Sequence, residues 1–178
     1  MAIMQMELED GPEKGKEPAA RQDRAGGSFT LRPYRDADRA ELERFYDEFE
    51  PQRVAQGLPP TGRARIDRWL RAVLSVGVHI VAHRGDRLIG HALVVPADRP
   101  GVAEYAVFLD LAERGKGVGV ELTRAAVELA REAGFRSLWL TVEPRNRAAV
   151  RAYERVGFRF RPATIFSPEA EMTLDLVA

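Results

Sequence analysis

Cysteine is absent from the 178-residue chain. That removes disulfides, thiolate metal sites, iron–sulfur ligation and any covalent relay through a Cys nucleophile. Charge of one sign is also missing: 27 basic residues balance 27 acidic ones. Nucleic-acid binders carry a basic excess or stripe, and neither is seen, so no nucleic-acid partner is expected. No apolar run approaches the roughly 18 residues a membrane helix needs, and no membrane association is expected. The start, MAIMQMELED, has no basic region followed by a long apolar one, so no signal peptide is read there. These absences make a cytoplasmic location the expectation. Lysine is scarce too, with only Lys14, Lys16 and Lys116, and no function attaches to that.

What is present is ordinary for a folded domain: 45% apolar and 30% charged residues. Residues 1–27 read as a disordered tail, because Glu7 to Gly27 is rich in charge, Pro and Gly and has too little apolar surface to offset its ordering entropy. A short ordered piece fits only near Met4 and Met6. Residues 28–178 read as the domain. Phe29–Pro33 alternates as a strand, and Asp36 is placed as N-cap of a helix over Ala37–Phe49. Pro51 ends that helix, and a connector runs through Gly57-Leu-Pro-Pro60. A second amphipathic helix covers Arg63–Leu74.

Val78–His83 and Leu88–Val95 form a hairpin about Gly85-Asp86, and Ala103–Leu109 is the next strand. A helix over Val120–Ala133 closes at Gly134. Ser137–Val142 is apolar in a way that suits a strand covered on both faces. Asn146 caps a helix to Val156, and Phe158–Pro162 and Ala170–Leu176 close the chain as strands. The order is β-α-α-β-β-β-α-β-α-β-β, a mixed α/β fold. Its helical crossover should make the strands around residues 103 and 142 parallel neighbours.

Between the strand ending at Leu109 and the following helix lies Arg114-Gly-Lys-Gly-Val-Gly119. Strand, Gly-rich turn and helix N-terminus together make an anion site, since free N–H groups and the helix dipole both favour negative charge. Arg114 and Lys116 add positive charge, so a phosphate or pyrophosphate is the expected ligand. A Walker A loop fits poorly, because its terminal Lys and hydroxyl are missing. A dinucleotide fingerprint also fits poorly, because the glycines run G-x-G-x-G and lie three or more strands into the fold.

Arg114-x-x-Gly117-x-Gly119 resembles the [Q/R]-x-x-G-x-[G/A] loop of the GNAT superfamily of N-acetyltransferases. Asn146-Arg-Ala-Ala149-Val-Arg-Ala-Tyr153-Glu-Arg-Val-Gly157-Phe158 is similar to that family's second pattern, N-x-x-[A/S]-x-x-[L/F]-Y-x-x-x-G-F. The resemblance runs over about 150 residues in the family's element order. The chain departs from it at Ala152, where Leu or Phe is common, and at Leu111, where Pro is common.

The resemblance implies a mostly antiparallel sheet with a central, splayed parallel pair, and acetyl-CoA as co-substrate with no metal. The loop amides of Gly115, Lys116, Gly117, Val118, Gly119 and Val120, with Arg114, would hold the pyrophosphate. Backbone groups of Val107, Phe108 and Leu109 would pair with the pantetheine arm. Asn146, Ala149 and Tyr153 would line the same arm, with the Tyr153 hydroxyl near the sulfur as general acid. Glu104 would serve as general base for an amine, directly or through water.

Each has a plainer reading: a surface glutamate, a helix cap at Asn146, an aromatic packed on the sheet at Tyr153. His79, His83 and His91 show no metal spacing and read as ordinary strand histidines. Tyr46, Glu48 and Glu50 border the connector that shapes the acceptor pocket in the family. The expected activity is direct acetyl transfer to a primary amine, on a protein lysine, an N-terminus or a small molecule, with a slight lean toward a protein acceptor. A homodimer is allowed for, since many relatives dimerise. The alternatives are a non-catalytic acyl-CoA sensing module and a structural domain with a chance Gly loop.

Overall fold

The computed structural model describes residues 18–51 and 59–177. The expectations for residues 1–17 and for the connector at Gly57 and Leu58 lie outside these. The strands are β1 (Ala19–Gln22), β2 (Ser28–Pro33), β3 (Val78–Arg84), β4 (Arg87–Pro96), β5 (Val102–Leu109), β6 (Ser137–Val142), β7 (Arg159–Phe160) and β8 (Ala170–Asp175). The α-helices are α1 (Arg39–Asp47), α2 (Arg63–Val73), α3 (Val118–Glu132) and α4 (Arg147–Val156). One sheet orders the strands β1-β2-β3-β4-β5-β6-β8-β7. All neighbours are antiparallel except β5 and β6. The mixed fold with a parallel pair at its centre is therefore present.

The sheet separates two cores. On one face Val78, Ile80, Ala92, Val94 and Tyr105 pack under α3 with Leu122, Ala126 and Ala130. On the other, Val81, Leu88, Leu93 and Phe108 pack under α1 and α2 with Leu42, Tyr46, Ile66 and Leu70. Helices on both sides bury β3 and β4 on both faces. The register slips between Ala82 and His83, which pair with Gly90 and Leu88 and leave Ile89 as the extra residue of a bulge. Glu41 of α1 holds that bulge: its carboxylate accepts from Leu88 N at 2.8 Å and contacts His83 Nε2 at 3.2 Å. At Gly90 an added Cβ would lie 3.1 Å from Leu122 and 3.0 Å from Leu109. A bare backbone there lets α3 sit close to the sheet.

Three expectations need correction. Residues 19–22, read as disordered tail, form an edge strand, Ala19 opposite Leu31 through Gln22 opposite Ser28. Ladder hydrogen bonds need only backbone, so composition did not disclose it. The first helix is preceded by a 3₁₀ turn over Asp36–Asp38. Asp38, not Asp36, is the anchor there, with its carboxylate bound to both Arg32 nitrogens at 2.6 and 2.7 Å and to Arg35 N at 2.8 Å. β6 is not buried on both faces. Leu138, Leu140 and Val142 are, while Ser137, Trp139 and Thr141 are half-covered, because α1 and α2 lie over β3, β4 and β5 and stop short of β6.

Candidate active site

The parallel pairing of β5 and β6 is short. It spans Val102–Ser137, Ala103–Leu138 and Glu104–Trp139, and then the strands part. Beyond that point Val107, Phe108 and Leu109 face a gap whose other wall carries Thr141 and Val142. The gap opens into a cleft of about 700 Å³. Gly115, Gly117, Gly119 and Val120 line one end, and Asn146, Ala149 and Tyr153 of α4 line its side. One wedge thus collects most of the residues expected from sequence.

The Gly-rich loop has the backbone an anion site requires. Gly117 is the N-cap of α3 at φ +95°, a left-handed conformation that L-residues avoid. Gly115 lies at φ +78°. Val120 N donates to Gly117 O at 3.1 Å, so the N–H groups of Val118 and Gly119 are the ones that face outward at the positive end of the helix dipole. Asn146 caps α4 by accepting from Ala149 N at 3.2 Å. That uses its carbonyl oxygen and leaves the amide NH₂ as a donor. Tyr153 packs edge-on against Tyr105, centroids 6.2 Å apart, and against Phe158 at 5.9 Å. Burial pushes its phenol up to about 12.

Three expected residues stand apart from the cleft lining. Lys116 turns toward the buried Glu113 carboxylate at 3.5 Å. Val118 is fully buried, so only its backbone can serve a ligand. Glu104 is exposed at the last paired rung of the β5–β6 wedge, where partial desolvation raises its carboxyl. It shares the α1/α2 face of β5 with Phe108, whereas Tyr105 and Tyr153 lie on the α3 face. Arg114 does line the cleft. Its Nε donates to Leu109 O at 3.2 Å, its Nη2 to Glu50 O at 2.6 Å, and it lies 5.7 Å over Phe49.

Sequence reasoning missed the charge of the cleft. Arg24, Arg114, Arg145, Arg151 and Arg155 line it, against Glu143 and Glu169. A chain with no net charge therefore presents a locally basic groove, suited to a polyanionic ligand. The three arginines around α4 were visible in sequence, but nothing there told which way they face.

The histidines are also more than isolated strand residues. Tyr46 Oη lies 2.6 Å from His91 Nδ1, and His91 Nε2 lies 3.2 Å from His79 Nδ1. His79 Nε2 meets Val73 O and Val76 O at 2.9 and 3.0 Å. Two carbonyls at His79 Nε2 require a proton there, so its Nδ1 accepts from His91 and His91 Nδ1 accepts from the phenol. Tyr46 in turn stands edge-on to Phe108 at 5.4 Å and to Trp69 at 5.0 Å. Burial lowers His79, and burial plus the neighbouring His79 holds His91 well below its ordinary 6.5.

Both rings therefore resist protonation in the fold, while the unfolded chain takes up protons near 6.5. Stability is full above that pH and declines as pH falls below it. The limiting slope is about 1.4 kcal/mol per pH unit for a histidine that stays neutral in the fold. Urea unfolding between pH 7.5 and 5.5 measures it, and an unchanged midpoint would mean the rings titrate normally.

Among the described residues, no group of three or more His, Cys, Asp or Glu could hold a metal, and no helix is long and apolar enough to cross a membrane.

Residues 39–158 match the model of the Acetyltransferase (GNAT) family. Mycothiol acetyltransferase of Thermobispora bispora is 39% identical over 84 residues, 44% of this chain and 28% of that protein. The chain thus spans under a third of that relative's length. The GNAT domain of S. lividans PAT superposes with a TM-score of 0.71 at 21% identity, covering 89% of this chain and 96% of that one. The structure of yncA from Salmonella typhimurium with its cofactor acetyl-CoA superposes at 0.68 and 21%, covering 84% and 94%. These likenesses show the fold. The family match takes in the Gly-rich loop and the Asn146–Phe158 segment and runs from the start of α1 past the end of α4, so the chain belongs to the GNAT family of acetyltransferases.

Proposed function

We propose that the protein transfers the acetyl group of acetyl-CoA to a primary amine by direct attack, with both substrates bound together. One observation carries this reading: a basic cleft opens where β5 and β6 part, with an anion-type loop at one end and a protonated phenol on its wall. Acetyl-CoA supplies the activated acetyl group. The residues present fit it: the backbone of the Gly115–Gly119 loop would hold a pyrophosphate, and the edge of β5 at Val107–Leu109, beyond its pairing with β6, would offer hydrogen bonds to an amide-bearing arm. A backbone N–H on that edge aimed at the thioester oxygen supports the charge that develops there.

The two faces of β5 divide the proton chemistry. Glu104 stands on the α1/α2 face and takes the proton from the amine. Val107 lies three residues farther along, about 10 Å, so the transfer runs through a water. Desolvation raises the Glu104 carboxyl toward the range where a base works well. Tyr153 acts from the opposite face at the leaving sulfur. Moving a proton from a phenol at about 12 to the thiolate of a thiol near 8.5 is uphill by about 5 kcal/mol. Tyr153 therefore keeps its proton and donates a hydrogen bond to the developing thiolate.

A small-molecule amine is the favoured acceptor. The mycothiol acetyltransferase relative is named for a small molecule, and Phe49 and Phe108, backed by Tyr46 and Trp69, give the cleft an apolar aromatic side suited to a compact ligand.

Thiol release from acetyl-CoA against amines, amino acids, polyamines and lysine peptides tests this. Release with one acceptor class is the expected outcome. Intact acetyl-CoA binding without release by any amine would leave the sensing-module reading in its place. Glu104→Gln should lower kcat by about 10²-fold and leave acetyl-CoA affinity unchanged. An unaltered kcat would remove Glu104 as the base.

A further inference from the structure

The described chain opens with an edge strand, and its turn reaches the phosphate-type loop. Arg24 N donates to Lys116 O at 2.9 Å. The Asp23 carboxylate accepts from Ala25 N and Gly27 N, both at 2.9 Å, which shapes the turn. It also pairs with Arg84 at 2.7 Å, and the same Arg84 nitrogen pairs with the buried Glu113 at 2.6 Å. Arg21 lies 3.7 Å from Glu121 in the first turn of α3. The turn is thus joined to the loop through main chain, through an ion-pair chain and through α3.

This places one side chain on the cleft. A Cβ built on Gly117 would lie 3.4 Å from Arg24 Cγ and 3.5 Å from its Nε, so the arginine stem lies along the left-handed glycine. Arg24 lines the cleft there and is exposed. The other cations near the loop are engaged. Lys116 and Arg84 share Glu113, and Arg114 binds two carbonyls. Among the described residues, Arg24 has no carboxylate within ion-pair distance.

We propose that Arg24 is a cofactor-binding residue: the strand β1 and its turn carry a guanidinium to the loop to clamp the pyrophosphate of the coenzyme against the α3 amides. This rests on the acetyl-CoA reading above. A planar guanidinium offers paired donors to phosphate oxygens. Held by an ordered turn, it loses less freedom on binding than an arginine on a loose tail.

Calorimetry on the full chain with CoA and with 3′-dephospho-CoA tests it. Arg24→Ala should weaken both ligands by the same factor, about tenfold. Arg24→Glu should weaken both further. Asp23→Ala, which keeps the arginine but dismantles its turn, should also weaken both. Unchanged affinity in Arg24→Ala overturns the proposal, as does a loss confined to CoA, which would put the contact on the 3′-phosphate. Absence of CoA binding by the wild type is a different result, which overturns the acetyl-CoA reading itself.

Discussion

Gly117→Glu should weaken acetyl-CoA binding at least a hundredfold while leaving the domain folded. The position combines three demands. Its φ of +95° suits glycine, and a side chain held there costs about 1–2 kcal/mol. Any Cβ would touch the flexible Arg24 stem at 3.4 Å. The carboxylate would also stand at the end of the cleft proposed for the phosphates. Two like charges about 4 Å apart near a protein surface repel by about 4 kcal/mol, so binding should fall by about 10²- to 10³-fold. Gly117→Ala carries only the strain and should lose about tenfold or less. The strain alone lowers the melting temperature of a domain this size by a few degrees, about 2–8 °C. Calorimetry and a thermal melt on both variants separate the terms. If Gly117→Glu bound acetyl-CoA within threefold of wild type, the loop would not be the phosphate site.

Tyr153→Phe should reduce kcat by about 10²-fold with little change in the KM for acetyl-CoA. That magnitude is what removal of one preorganised donor from a developing charge typically costs. The ring can keep its packing on Tyr105 and Phe158 in the variant, so a change in stability would not account for the loss. The role has a pH signature as well. With its phenol at about 12, Tyr153 stays protonated across the working range. The wild-type kcat profile should therefore show no descending limb below about pH 10 from this group. A KM rise with constant kcat would instead place the hydroxyl in ground-state binding. A descending limb near pH 8 that the Phe variant lacks would mean the phenol ionises far more easily than its burial implies.

The β5–β6 wedge shows where sequence reading ends. The crossover from Val102 through α3 to Val142 was legible, because a strand, a helix and an apolar strand in succession place two parallel neighbours. So were the caps at Asn146 and Gly134, and the phosphate-type loop, since each depends on residues within one or two turns of each other. The first two appear in the fold where they were expected. The parting of the strands after Glu104 and Trp139 has no local signal. It follows from how the two strands are held by their other neighbours, β4 and β8.

Other features were set by packing between distant segments. The relay Tyr46–His91–His79 joins a helix to two strands across 45 and 12 positions, and no local pattern distinguishes it from three scattered polar residues. The basic cleft collects arginines from β1's turn, the loop and α4 in a chain whose charges cancel overall. The strand at Ala19–Gln22 is the sharpest case. Its composition is that of a tail, and its order comes from backbone pairing with β2 and from the Asp23–Arg84–Glu113 chain. Local chemistry, written in spacing, could be read directly: periodicity, capping and the glycine loop. Register, strand divergence and the sum of charges on one surface depend on contacts between residues far apart in the chain, and only folding brings those residues within reach of each other.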